Sequence, residues 1–183
     1  MEKLVSLINC LRACEAEEEW FEFKENWYDA DGIGEYISAL SNSAAMLGKT
    51  LAYFIWGVND STHELTGTNF KYHRDVRKEP LEHYLARQIM LDINFRFCEL
   101  SIDEKRVVVL IIPAARQVPT AFRGMRYIRI GSSSVNLNKF PERESKLFDI
   151  LRNGMPTMEN VEAYSQELSF RKLFLYYEDK GIV

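Results

Sequence analysis

Four side chains near the start of the chain have types and spacing that could do chemistry: Glu17, Glu22, Lys24 and Asp60. The stretch Trp20-Phe21-Glu22-Phe23-Lys24 is aromatic and alternates in polarity, which predicts a strand with Glu22 and Lys24 on one face. Asp60 follows 38 residues after Glu22, at the end of an apolar run. A carboxylate beside a lysine, with a second and third carboxylate brought in by the fold, makes a workable site for one divalent ion and a phosphodiester. In that reading Glu17, Glu22 and Asp60 hold Mg²⁺ or Mn²⁺, and Lys24 steadies the attacking water or the developing charge. The plainer reading is an exposed strand edge beside a solvated acidic face, because so short a pattern recurs by accident.

A second constellation is basic. Residues 15–31 carry eight acids against Lys24 alone, whereas residues 114–146 carry seven bases against Glu142 and Glu144. A net charge of -4 argues against a general polyanion binder, so the segregation says more than the sum. Arg126 and Arg129 are three apart and point to opposite faces of a strand. Arg129 is then the candidate for a groove facing Gly131-Ser132-Ser133, where backbone N–H groups and the Ser132 and Ser133 hydroxyls would meet a phosphate, with Arg116 and Arg123 adding to it. The alternative is that these arginines pair with the acidic run of the same chain or of a twin subunit, as in a homodimer, and the sequence leaves both open.

Other patterns carry less. Gly48-Lys49-Thr50 lacks the glycine five residues earlier and the following helix that a phosphate loop requires. His63, His73 and His83 fall in a turn, a basic loop and a helix start, which form no dyad. Three cysteines without a paired CxxC spacing read as free thiols, buried in the case of Cys10 and Cys14, in a reducing compartment, hence the cytoplasm. No run approaches the roughly 20 apolar residues of a membrane helix.

The elements that must position these residues follow from periodicity. At 183 residues and 46% hydrophobic, one core is expected. Helices are predicted over 2–14, 35–46, 80–90 and 141–151, the second rich in small residues that permit close packing. The run 51–58 predicts a central strand buried on both faces, followed by a turn at 59–62 and a returning strand at 64–66. A hairpin is expected over 94–101 and 105–112, a strand over 125–130 and a loop over 131–134. These elements give an α/β (α+β) fold, a mixed central sheet with flanking helices, over residues 1–152. Residues 153–183 read as a connector and a final helix at 168–177, leading into a longer protein.

Three segments together resemble a known family. Glu19-Trp20-Phe21-Glu22-Phe23-Lys24-Glu25, Ile37-Ser38-Ala39-Leu40-Ser41-Asn42-Ser43 and Gly57-Val58-Asn59-Asp60 are similar to the Schlafen AlbA-type signature: a glutamate-rich lead into EFK, an AFANT-like helix and a strand closing in GVDD. Tyr127-Ile128-Arg129-Ile130-Gly131-Ser132-Ser133 resembles its later strand-to-loop segment. The resemblance runs from about residue 14 to residue 152. It implies a nucleic-acid-binding module, for DNA or RNA, of the kind found in bacterial transcriptional regulators. In the animal Schlafens that cut transfer and ribosomal RNA, three acids perform metal-dependent cleavage, and the resemblance places these on Glu17, Glu22 and Asp60. Asn59 stands where the family has its first aspartate, and Gly48-Lys49 where it has a double glycine. The resemblance therefore implies binding first, with a Mg²⁺- or Mn²⁺-dependent endoribonuclease second, and the segregated acidic and basic surfaces leave a homo-oligomerisation or protein-interaction module third.

Overall fold

The apolar run after Thr50 becomes an inner strand of a four-stranded sheet, with helices laid against its two faces. The computed structural model describes residues 2–90 and 93–153, within a unit spanning Met1–Asn153. In chain order the elements are α1 (Glu2–Arg12), β1 (Phe21–Lys24), α2 (Ala30–Met46), β2 (Leu51–Trp56), β3 (Asp75–Val76), β4 (Glu79–Pro80), α3 (Leu81–Gln88), β5 (Ile89–Met90), β6 (Arg96–Ile102), β7 (Lys105–Pro113), β8 (Ala121–Phe122), β9 (Met125–Ile130), β10 (Ser133–Asn136) and α4 (Pro141–Arg152), with a 3₁₀ turn at Leu137–Lys139 before α4. The main sheet has the order β1-β2-β7-β6, with β1 parallel to β2 and the other pairs antiparallel. A mixed α/β fold is therefore present. Ile55 and Trp56 are fully buried, as a central strand requires.

Pleating divides the sheet into two chemically different faces. Phe21, Phe23, Ile55, Val107 and Val109 join Ile8 and Leu11 of α1 in one apolar cluster. The opposite face meets α2, where the Phe54 and Tyr36 rings lie 4.8 Å apart. Glu22 belongs to this second face, so alternation within β1 drives a carboxylate inward.

A second sheet, β10-β9-β8-β5, lies on the far side of α2. That helix is consequently buried almost all round, from Ile37 to Ala45 without a break. Small residues allow the approach, as expected. The serines and Asn42 do more, because among the described residues β9 beyond Arg126 has no strand on its β8 side and its backbone groups need partners. Ser38 Oγ accepts from Tyr127 N at 3.0 Å, Ser43 Oγ accepts from Arg129 N at 3.0 Å, and Asn42 Nδ2 donates to Tyr127 O at 2.8 Å. Asn42 also donates to Thr120 O at 2.9 Å and accepts from Thr120 N at 2.8 Å. One face of a helix thus replaces a missing strand.

Several boundaries differ from expectation. Helix α2 starts at Ala30 instead of 35, because Asp29 caps it by accepting from Asp31 N and Gly32 N. The strand 51–58 ends at Trp56, since Gly57 has a φ of 101° and an added Cβ there would meet Arg106 O at 2.9 Å. The returning strand at 64–66 reduces to a single bridge between Val58 and Leu65. The helix from 80 ends at Gln88 and gives way to β5, and the expected loop at 131–134 is the turn into β10. Cys10 is exposed and Cys14 half-buried, against the expectation of buried thiols. The final helix at 168–177 and nearly all of the preceding connector lie outside the described residues. Among the described residues no helix is long and apolar enough to cross a membrane.

Three two-residue hairpin loops carry positive φ at both central positions: Arg77-Lys78, Asp103-Glu104 and Arg123-Gly124. This is the type I′ geometry that matches strand twist, but it favours Asn, Asp and Gly. Arg77, Lys78 and Arg123 adopt it at a cost of about 1–2 kcal/mol each.

Candidate functional site

The acids singled out in the sequence gather around a buried arginine. Glu22, 2% exposed, accepts at Oε1 from Lys24 Nζ at 2.7 Å and from the Tyr36 hydroxyl at 3.0 Å. Its Oε2 forms an ion pair with Arg129 Nη1. Arg129 is 0% exposed and also faces Glu17 Oε2, 3.5 Å from its Nη2. Glu17 accepts from Phe23 N at 2.7 Å through its other oxygen. The contact with Glu22 is ionic: among the described residues Nε and both Nη atoms of Arg129 lack a hydrogen bond of good geometry. The Tyr36 ring, 5.5 Å from the guanidinium carbon, adds a cation–π contact.

Asp60 stands apart. Its carboxylate is half exposed and reaches the cluster only through Lys24, whose Nζ lies 3.2 Å from Asp60 Oδ2. Asn59 turns the other way, donating to Glu25 at 2.7 Å and accepting from Ser61 N and Thr62 N in a tight loop. Lys24 therefore bridges two carboxylates. Burial works against its charge, yet the hydrogen bond and negative charge of Glu22 outweigh it and hold the lysine above its ordinary range.

The divalent-ion reading of Glu17, Glu22 and Asp60 does not fit this arrangement. Mg²⁺ or Mn²⁺ needs several free oxygens pointing at one centre. Here the oxygens of Glu17 and Glu22 face Phe23 N, Lys24, Tyr36 and Arg129, and a cation between them would meet a guanidinium. Among the described residues no three His, Cys, Asp or Glu side chains form a metal-holding group. What the cluster does instead is favour a proton on Glu17: burial, then the Glu22 charge, pushes it up to about 8 from 4.5.

That proton has a measurable consequence. Between about pH 4.5 and 8 the folded chain retains a proton that the unfolded chain releases, so stability falls as pH rises through that window. Glu17→Gln keeps the acceptor for Phe23 N and removes the titration. Its unfolding free energy is expected to exceed that of the wild type above about pH 8, by about 1–3 kcal/mol, less than the full shift because the titration is coupled to the neighbouring Glu22. Urea titrations at several pH values check it, and a parallel pH dependence in both proteins would refute it.

The basic residues are dispersed. Arg129 does not line an open groove; β9 pairs with α2 through Ser43 and turns its side chain into the core, where the desolvated carboxylates take it. Its alternation partner Arg126 pairs with Glu144 of α4 at 2.6 Å, on the opposite face as the spacing predicted. Arg116, Ser132 and Ser133 are exposed. The Gly131 N–H beside those serines donates to Glu19 at 3.2 Å, and Glu19 also lies 3.7 Å from Arg143. Arg123 sits at the other end of β9, on the β8–β9 turn, and its Nη1 donates to Asp31 at 2.8 Å. The sequence reading missed Arg77, which approaches the same Asp31 oxygen at 3.8 Å. Its position in the basic run 71–78 was the available signal.

Residues 17–138, from the first acid of the cluster to the 3₁₀ turn after β10, match the model of the Schlafen, AlbA_2 family. The chain belongs to this family. No curated protein matches the sequence. Among solved structures, this AlbA_2 domain is similar to the DIP2311 protein from Corynebacterium diphtheriae, with a TM-score of 0.46 and 16% identity, over 74% of this chain and 26% of that one. It is also similar to the N-terminal domain of a protein from Nitrosomonas europaea described as related to the ATP-dependent DNA helicase RecG, with a TM-score of 0.44 and 22% identity, over 70% of this chain and 89% of that one. The AlbA_2 domain thus spans about a quarter of the DIP2311 chain.

Proposed function

We propose that this AlbA_2 domain binds nucleic acid through exposed bases and does not cut it with Glu17, Glu22 and Asp60. The observation that supports this reading is the place of Arg129, wholly buried against Glu17 and Glu22. Together with Lys24 and the raised proton affinity of Glu17 it leaves those carboxylates out of solvent and without free charge, so they neither repel a phosphate chain nor stand free to hold a metal. The bases left facing solvent in the segment 114–146 include Arg116, Arg123, Lys139 and Lys146. Phosphate contacts of this kind position a strand without reading its bases. The family resemblance implies that such a domain serves a transcriptional regulator.

Incubation with labelled transfer RNA and with single-stranded DNA, in Mn²⁺ or in EDTA, tests it. The expected result is a mobility shift with both metal and chelator and no cleavage in either. Mn²⁺-dependent cleavage lost in Glu22→Gln would overturn the reading in favour of a nuclease. The same lanes show whether RNA or DNA is held more tightly.

A further inference from the structure

Two of the strained turns converge on one ring. Arg77 at the tip of the β3–β4 hairpin and Arg123 at the tip of the β8–β9 hairpin both have positive φ, 52° and 49°. Their guanidinium carbons lie 5.6 Å and 5.7 Å from the centre of the Tyr84 ring. Neither position is one that an arginine favours, and glycine would relax both. Bringing two like charges to one aromatic ring is unfavourable unless negative charge compensates them, and among the described residues the charge in contact is Asp31 alone. Asp31 is further committed to the Tyr84 hydroxyl, which Arg123 Nη2 also approaches. Arg77 is 66% exposed and Arg123 36%, so the uncompensated charge faces solvent. Lys78, next to Arg77 on the same tip, is exposed as well.

We infer that Arg77 and Arg123, held by Asp31 over Tyr84, form a notch that grips a backbone phosphate of a nucleic-acid strand. Arginine is suited to the task because its planar fork meets two phosphate oxygens at once while its face rests on an aromatic ring. Asp31 sets the spacing of the two forks, and Tyr84 supplies the floor. A phosphate entering the notch provides the negative charge that Asp31 alone does not. The strain at the two tips is consistent with placement for a ligand, since backbone outliers of this kind concentrate at binding sites. The inference rests on the nucleic-acid reading above and assigns it an anchoring site.

The test compares the wild type with the double variant Arg77→Gly plus Arg123→Gly, using short labelled single strands of RNA and DNA at several salt concentrations. Glycine suits the left-handed conformation of both positions, so the melting temperature is expected to be unchanged or higher. Binding is expected to weaken by about tenfold or more for every sequence, and the salt slope to flatten by about 0.7, because the notch holds one phosphate and each lost phosphate contact on a single strand removes about that much. Competition with an unlabelled strand and with a mononucleotide at equal phosphate concentration separates the two sources of phosphate: the strand should displace the label at far lower concentration. Equal displacement by the mononucleotide would overturn a strand-backbone site. If the wild type binds and the glycine variant binds equally well, the nucleic-acid reading stands and the notch falls. If the wild type binds neither strand, the reading itself fails and the notch fails with it.

Discussion

Arg129→Met should lower the unfolding free energy by about 3–5 kcal/mol, the range expected when one partner of a buried ion pair is removed and the other charge is left behind. Glu22 is as buried as the arginine, and its remaining neighbours, Lys24 and Tyr36, both approach Oε1. Methionine leaves Oε2 facing an apolar side chain in a water-poor interior, where the charge costs several kcal/mol. The sign is informative. An arginine facing solvent in a phosphate groove would change stability by only about 0.5 kcal/mol on substitution. A urea titration distinguishes these outcomes at once. The triple variant Arg129→Met, Glu17→Gln, Glu22→Gln should recover a large part of the loss, since no carboxylate is then left stranded. Failure to recover would mean that shape complementarity against Tyr36 matters more than charge.

Asn42→Ala should cost about 2–4 kcal/mol. The amide makes three hydrogen bonds that bind α2 to the loop before β8 and to the edge of β9. Thr120 O keeps a second donor, Ser38 Oγ at 2.7 Å, so its loss is partly compensated. Thr120 N and Tyr127 O lose the partner Asn42 provides, and a buried group without a partner costs about 1–3 kcal/mol. For a chain of this length the effect amounts to a fall in melting temperature of about 5–15 °C. Asn42→Asp should be worse than alanine, because a carboxylate accepts from Thr120 N but turns a negative oxygen on two carbonyls. A melting temperature within about 2 °C of wild type for alanine would show that water replaces the amide at the β9 edge.

Much of the scaffold was legible because local rules and tertiary packing agree there. Leu51–Trp56 is apolar enough to be an inner strand in any fold that buries it, and the alternation of Phe21-Glu22-Phe23-Lys24 fixed which side chains share a face. The hairpin β6–β7 turned at Asp103-Glu104, as its pattern required. The start of α2 was misplaced because turn-forming residues and an N-cap share the same vocabulary, and Asp29 serves the cap. The second sheet was not legible, since β5 and β8 are two residues long and exist only by pairing with each other and with β9.

The sequence by itself determined that acids and bases are segregated, that Glu22 and Lys24 lie side by side, and that Arg126 and Arg129 diverge; these follow from composition and from strand pleating. Only the tertiary structure decided what those charges meet. Residues 107 positions apart, Glu22 and Arg129, are brought together because α2 fills the space between two sheets and exposes an inward face of each. Arg77 and Arg123 are brought to Tyr84 by two separate hairpins in the same way. An ion pair depends on distance and on the loss of water around it, and neither is encoded in the spacing of the residues along the chain.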